Sequence, residues 1–475
     1  MPSTASTPSS QAEGQQPSAV AWLSLLESGQ ISSRQIAQRY LDRIALVDPR
    51  VHAVVSCDPD AVLAAADAAD DARCRGERRA LLGLPVTIKD SIDVCGLPCT
   101  GGSLARAGYR PASDATVVAR LRDAGAVVLA KTNVPEYSSS YETDNLVHGR
   151  TNHPLDPTRT AGGSSGGEGA LAGADATPLG IGTDGGGSLR VPAHYCGVVG
   201  LRPTVGRVPE TGTWPSTRAS GYMDLFCVGP IARYVEDVAL VLPIISGPDW
   251  IDPYAVPAPL GDPAEVAVEE LCVGWFADDP RLEVSAATRA ALAGAADALR
   301  DAGAQIIEVQ APWEEDPTAL FFDCVAADGG AQLRADLQGA GGRHHPRFQA
   351  LIDAIESRRL GASDWFDVQR RVYALRVRMR ALAASVDVLL CPVVAGPAPR
   401  HGEPPGALPP SGDDEYRAFD YVHLLALAGL PAASVPAGVE DGLPIGVQVA
   451  AGPFREHVLL AAAAAIEARV GRVTP

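Results

Sequence analysis

Ten of the 48 glycines in this 475-residue chain fall in two eight-residue windows, Gly162–Gly169 and Gly180–Gly187. Glycine at that density weakens any helix or strand built across it and marks sharp turns or close approaches of backbone to backbone. The windows are therefore expected to sit between regular elements, and those elements limit what the chain can become. Ser18 caps a short helix that stops at Gly29, and Ser32 with Gln35 forms a capping box for the next. Ile36, Tyr40, Ile44 and Val47 then share one helical face before Pro49, which is expected to end it. From Val86 onward short apolar strands alternate with helices. Val86–Ile88 predicts a strand ending at Lys89, Ala115–Asp123 a helix stopped by Gly125, and Ala126–Ala130 the next strand. Leu299–Ala304 repeats this local device before a strand at Gln305–Val309. Such alternation argues for an α/β sheet covered on both faces.

Charge narrows the function. Lys and Arg number 39 and Asp and Glu 57, a formal net charge of −18. Nucleic-acid binding draws on clustered cations, so that class of partner is excluded, and the acidic excess reads as a solvated surface. Nine cysteines are scattered from Cys57 to Cys391 without a CxxC or zinc-ribbon spacing, Cys95 and Cys99 being the nearest approach. That pattern suggests a reducing compartment. Residues 1–17 are polar, lack the charged start and apolar core of a secretory signal, and are expected to be a disordered arm. The apolar run Val458–Ile466 is too short to span a bilayer. The expectation is a cytoplasmic protein without a membrane partner.

The glycine windows admit several motif readings. Gly180-Ile181-Gly182-Thr183-Asp184-Gly185 satisfies GxGxxG after a strand-like Thr177–Ile181, but Pro192 and Gly197 interrupt the helix a dinucleotide site needs. A Walker loop requires Gly-Lys-Ser/Thr, which follows neither window. Gly162-Gly163-Ser164-Ser165-Gly166 satisfies GxSxG, the nucleophile elbow, which demands a late histidine. His423 lies in the apolar run Val422–Leu427 and reads as a satisfied core residue; His457 reads as an exposed residue at a helix start. There is no HExxH, and His148, His153, His344 and His345 stand in loops without ligand spacing.

Taken together, the windows tell more. Pro85-Val86-Thr87-Ile88-Lys89-Asp90 is followed by Gly163-Ser164-Ser165-Gly166-Gly167-Glu168-Gly169 and then by Gly182 through Pro192. Lys131-Thr132-Asn133 with Glu136, Gly197 to Pro203, Gly229-Pro230 with Ala232-Arg233, and the closing block from Gly429-Leu430-Pro431 to Gln448 complete the set. In this order, over about residues 18 to 470, the chain resembles the amidase signature family. The resemblance implies that family's fold, a central mixed β-sheet covered by helices on both faces, formed by residues 18–475. A mostly helical variable region at about 264–384 would contribute to the substrate entrance.

Carried over to matching positions, the resemblance implies Ser188 as nucleophile, Ser164 as bridging serine after a cis Gly163–Ser164 bond, and Lys89 as base. The chemistry suits the residue types. A serine hydroxyl needs a base within hydrogen-bond reach, and a lysine serves only when burial keeps it neutral. Amides of Gly185, Gly186, Gly187 and Ser188 are then expected to form an oxyanion hole, where side chains would block approach. Asp184 is expected to bind loop backbone or Arg190, with Ser165 and Thr183 supporting the network. Ala426 departs from the family pattern, standing where Asn is usual. His153 departs too, separating Asn152 from Pro154. No metal or cofactor is implied.

The implied activity is hydrolysis of a carbon–nitrogen bond in a small molecule through an acyl-enzyme. Amides, anilides, hydrazides, carbamates and aryl esters all stay open as substrates, and so does a homo-oligomer. One family branch releases ammonia from glutamine for tRNA-dependent amidation. The segment from Gly206 to Pro230 lacks that branch's YGLVA-type stretch and carries Trp214, Tyr222, Met223 and Phe226, which suggest an aryl or acyl pocket. Phe321, Phe322, Trp365, Phe366 and Tyr373 are expected to line or lid the entrance. A free-standing amidase is favoured over the glutaminase and over a silent scaffold of the same fold, against which Lys89, Ser164 and Ser188 all speak.

Overall fold

Val86, Thr87, Ile88 and Lys89 are all fully enclosed, as a strand must be when helices cover both faces of its sheet. The computed structural model describes residues 16–216, 224–311, 313–403 and 412–470. The first half runs α1 (Ala19–Glu27), α2 (Ser33–Val51), β1 (Val54–Ser56), α3 (Pro59–Cys74), β2 (Pro85–Lys89), α4 (Thr116–Asp123) and β3 (Val127–Thr132). It continues with α5 (Gly166–Gly173), β4 (Leu179–Asp184), α6 (Arg190–Cys196), β5 (Val199–Arg202), β6 (Cys227–Ala232) and α7 (Val235–Ile245). Next come β7 (Cys272–Trp275), α8 (Ala286–Asp301), β8 (Gln305–Glu308), and the helices α9 (Pro317–Val325), α10 (Ala331–Asp336), α11 (Pro346–Ser357) and α12 (Ala362–Ser385). The chain closes with β9 (Val388–Pro392), α13 (Asp420–Ala428), β10 (Ala432–Glu440), β11 (Leu443–Ala451) and α14 (Glu456–Val470).

Among the described residues the strands form one 11-stranded mixed sheet in the order β1-β3-β2-β4-β6-β5-β10-β11-β9-β7-β8. β2 lies parallel between β3 and β4, and β7 lies parallel between β8 and β9. The pairs joining these groups are antiparallel. Helices flank the sheet, with α6, α8 and α14 packed on β10 and β11. The α/β expectation therefore holds, including the mixed sheet.

The local signals at the amino end also act as expected. Ser18 accepts from the Ala21 amide, and Ser32 and Gln35 complete a reciprocal capping box. Two proline readings need correction. Pro49 does not end α2, which continues to Val51; the turn falls at His52, in the left-handed region at φ 55°. Asp48 holds that turn by accepting the Ala53 and Val54 amides at 2.7 and 3.0 Å. Pro192 does not prevent a helix after Asp184, because it sits in the first turn of α6, where an amide has no intrahelical acceptor to lose. Of the expected amino-terminal arm, Gln16 and Pro17 are described, and their carbonyls accept from Tyr234 and Arg233. The remainder lies outside the described residues.

Candidate active site

Alternation along β2 sends Thr87 and Lys89 to one face, and parallel pairing sets β4 beside them, with Ile88 opposite Ile181. Lys89 Nζ lies 2.6 Å from Ser164 Oγ and 2.8 Å from Thr183 Oγ1. The ammonium is cut off from water, and this burial lowers Lys89 from 10.5 to about 7, against the charges of Asp184 and Glu168 that favour it. Glu168, also enclosed, accepts from Thr87 Oγ1 at 2.5 Å and Thr132 Oγ1 at 2.7 Å. Burial pushes its carboxyl up to about 7, the two hydroxyls and Lys131 acting in the opposite sense.

Ser164 follows a cis peptide bond from Gly163, as expected from the resemblance, and is buried. Ser165 ties the two glycine windows together: its amide donates to Ser188 O at 3.1 Å, and its hydroxyl donates to Thr183 O at 3.2 Å. Ser188 is half-buried and lines one cavity with Ser164, Gly185 and Gly186. Lys89, Ser164 and Ser188 are thus brought to one place, at the carboxyl ends of neighbouring parallel strands.

Asp184 and Arg190 form the structural pair anticipated from sequence. Arg190 Nη2 and Nε lie 2.9 and 3.0 Å from the Asp184 carboxylate, and Arg190 Nη1 donates to Gln448 at 2.6 Å. Burial opposes the charge on Asp184, but Arg190, Arg202 and the Gly187 amide hold its carboxyl well below the usual carboxylate range. One expectation is corrected here. The Gly187 amide, expected to be free for an oxyanion, donates instead to Asp184 Oδ1 at 2.7 Å. The amides of Gly185, Gly186 and Ser188 have no acceptor among the described residues.

The cavity has walls of Tyr137, Tyr141, Phe226, Phe321, Phe322 and Tyr416, with Pro215 and Leu351 beside them. No Asp, Glu, Lys, Arg or His side chain is among its described lining residues. Phe226, Phe321 and Phe322 were legible as pocket residues. Trp214 instead stands behind the wall, its ring 5.0 Å from that of Tyr137. Tyr222 and Met223 lie outside the described residues. Phe366 and Tyr373 are exposed on α12 and, like Trp365, do not line the cavity. Tyr137, Tyr141, Leu351 and Tyr416 were missed. A signal existed for the first two, since Pro135-Glu136-Tyr137-Ser138-Ser139-Ser140-Tyr141 leaves the carboxyl end of β3, beside Lys89.

The histidines fall into structural settings. His153 Nε2 meets Tyr195 O at 2.7 Å while its Nδ1 accepts from Leu155, and His344 Nδ1 lies 2.9 Å from Glu136. His457 is half-buried on α14 against Gly261. Ala426 is enclosed within α13 and absent from the cavity wall, so the missing Asn leaves the described wall unchanged. Among the described residues no cluster of three or more His, Cys, Asp or Glu could hold a metal ion, and no helix is long and apolar enough to cross a membrane.

A neutralised lysine beside a serine, next to a second serine and unpaired amides, is equipped for acyl transfer. Fold and comparison together define a hydrolase acting on carbon–nitrogen bonds. The chain belongs to the amidase signature family, whose Amidase model matches residues 35–460. It is 34% identical to an indoleacetamide hydrolase of Bradyrhizobium diazoefficiens, covering 96% of this chain and 86% of that protein. It is also 34% identical to one component of the glutamyl-tRNA(Gln) amidotransferase of Chloroflexus aggregans, covering 92% of each. A bacterial aryl acylamidase of the amidase signature family superposes with a TM-score of 0.86 at 27% identity, covering 96% of both chains.

Proposed function

We propose that this chain hydrolyses small neutral amides bearing an aromatic or bulky apolar group, with Ser188 as nucleophile, Ser164 as bridge and Lys89 as base. The observation that carries the reading is the 2.6 Å contact of buried Lys89 with Ser164, opening onto an uncharged aromatic cavity shared with Ser188. As Ser188 Oγ adds to the carbonyl carbon, its proton passes to Ser164 while the Ser164 proton passes to Lys89 Nζ. The C=O π pair moves onto oxygen, which the amides of Gly185, Gly186 and Ser188 receive. Collapse breaks the C–N bond, and the leaving nitrogen takes the proton back from Lys89 through Ser164. Water then cleaves the acyl ester by the same relay.

Two considerations favour an aryl or arylalkyl amide over glutamine. The cavity meets aromatic surface with aromatic surface, as the names of the indoleacetamide and aryl-acylamide relatives would suggest. Glutamine would bring a carboxylate and an ammonium against walls whose described residues carry no charge, an uncompensated desolvation.

A panel of arylacetamides, aryl p-nitroanilides, carbamates, p-nitrophenyl esters and glutamine tests this. Arylacetamides or anilides should be turned over best and Ser188→Ala should be inactive on all. Lys89→Ala should depress anilide turnover at least about tenfold more than ester turnover, since a nitrophenolate leaves without a proton and an anilide nitrogen does not. Preference for glutamine, or an active Ser188→Ala protein, overturns the proposal.

A further inference from the structure

The cavity wall and the glycine loop meet at Gly186. The peptide unit between Gly186 and Gly187 has its N–H on Asp184 Oδ1 at 2.7 Å, and its carbonyl accepts from Tyr141 Oη at 2.5 Å. The Tyr141 hydroxyl has one hydrogen, spent on Gly186, so the 2.6 Å contact with His423 Nε2 requires the ring nitrogen to donate. His423 Nδ1 is then the acceptor facing Thr318 Oγ1 at 2.7 Å, closer to that hydroxyl than its other acceptor, Tyr416 O at 3.3 Å. Burial lowers His423 to about 3, in keeping with a neutral ring that donates from one nitrogen and accepts at the other. The hydrogen-bond series Thr318, His423, Tyr141, Gly186 joins α9, which carries Phe321 and Phe322 of the cavity wall, to the loop holding Ser188.

Packing keeps the series in place. His423 stacks on Phe321 with ring centres 4.3 Å apart, and Tyr141 stacks on Phe419 at 3.7 Å. A Cβ at Gly186 would meet Phe321 Cζ at 2.7 Å and His423 Cδ2 at 3.1 Å, so the loop needs glycine to lie against them. Gly187 has φ +119°, which a side chain rarely allows. The glycines that permit this approach also leave the backbone free to rotate.

Resting on the reading of Ser188 as nucleophile, we infer that Tyr141 and His423 are positioning residues: with Asp184 they clamp the Gly186–Gly187 peptide at both ends and so hold the flanking amides of Gly186 and Ser188 toward the reacting oxygen. Their contribution then appears when the carbonyl oxygen gains charge, not when the neutral substrate binds.

Two probes separate these states: an aryl trifluoromethyl ketone, whose oxygen becomes an oxyanion on adding Ser188 Oγ, and the matching aryl alcohol, which fills the cavity without doing so. Tyr141→Phe should lower kcat on the best amide about 10- to 100-fold and weaken the ketone by a similar factor, with KM and alcohol affinity within about threefold. His423→Leu should act alike, the double variant should be little worse than either single, and His423→Gln, which retains an N–H donor, should recover part of the loss. Unchanged kcat, or equal losses for ketone and alcohol, overturns the inference and leaves Tyr141 as cavity wall. Should the larger changes prevent folding, Thr318→Val removes one hydroxyl at constant shape and should show the same split at about threefold or more; without that split the inference falls. Failure of the ketone to modify Ser188 in the unaltered enzyme refutes the nucleophile reading instead.

Discussion

Burying Lys89 removes the water that stabilises an ammonium, and under the proposed mechanism this would set the pH at which the enzyme works. With Lys89 lowered to about 7, the amine is protonated below neutrality and cannot take the proton from Ser164. Activity, as kcat/KM, should therefore rise through about pH 7 and level off above about pH 8. Glu168 adjusts that midpoint, since its carboxylate favours the charged lysine. Glu168→Gln removes the charge that Glu168 gains as its own carboxyl ionises at about 7, and keeps the shape and one of its two acceptor oxygens, so Lys89 should lose its proton more readily and the midpoint should move to lower pH. Rate profiles of both proteins on one substrate decide the point; a midpoint that stays or rises would separate Glu168 from the base. That Lys89, Ser164 and Ser188 would lie together was legible in sequence because each stands in a motif of several residues. The direction of the Gly187 amide was not, because it depends on the carboxylate of Asp184 reaching back along the loop.

At the scale of elements, α9 connects sequence to specificity. Asp316 caps it by accepting from the Ala319 amide, and Pro317 opens it, so its start is well defined. From that start Phe321 and Phe322 reach the cavity, while Leu320 and Cys324 pack inside the helical layer. Phe322→Ala should raise KM for arylacetamides about tenfold or more while leaving acetamide nearly unaffected, because burial of a phenyl ring is worth about 1.5–3 kcal/mol. Equal changes for both amides would show that Phe322 supports the fold and not the acyl group. The aromatic cluster at Phe321 and Phe322 could be read from composition; which aromatics of α12 turn outward could not. Phe366 and Tyr373 are spaced like inward residues of a helix, yet Val368, Val372, Leu375 and Met379 hold the buried face. Prolines misled as well: Pro192 sits in the first turn of α6, where no intrahelical amide bond is lost, whereas Pro49 lies inside the last turn of α2, which runs two residues past it.

At the scale of the whole molecule, the sheet joins segments that local patterns cannot pair. β9 lies between β11 and β7, and β10 pairs with β5 more than 200 residues earlier, Ala433 opposite Leu201. Alternation predicts strands, but their neighbours are chosen by packing across the molecule, which a local motif does not contain. Buried polar ties secure such long connections. Arg207 Nη2 lies 2.8 Å from Glu456 Oε2, both nearly or wholly inaccessible, and the Thr204 amide donates to Glu456 Oε1 at 2.9 Å. The same guanidinium donates to Ala258 O, Pro259 O and Phe454 O, fastening the proline-rich link and the start of α14 to the loop after β5. Glu456 also stands in the first turn of α14, where a carboxylate favours the helix dipole. Removing it leaves a buried guanidinium without its counter-charge and an amide without its acceptor. Glu456→Ala should cost about 3–5 kcal/mol of stability, read as a lower urea midpoint at unchanged slope. Glu456→Gln should cost less, because its carbonyl oxygen can still accept from Thr204. A loss below about 1 kcal/mol for the alanine variant would mean that water reaches Arg207 there and that the tie contributes little to joining the carboxyl-terminal helix to the sheet.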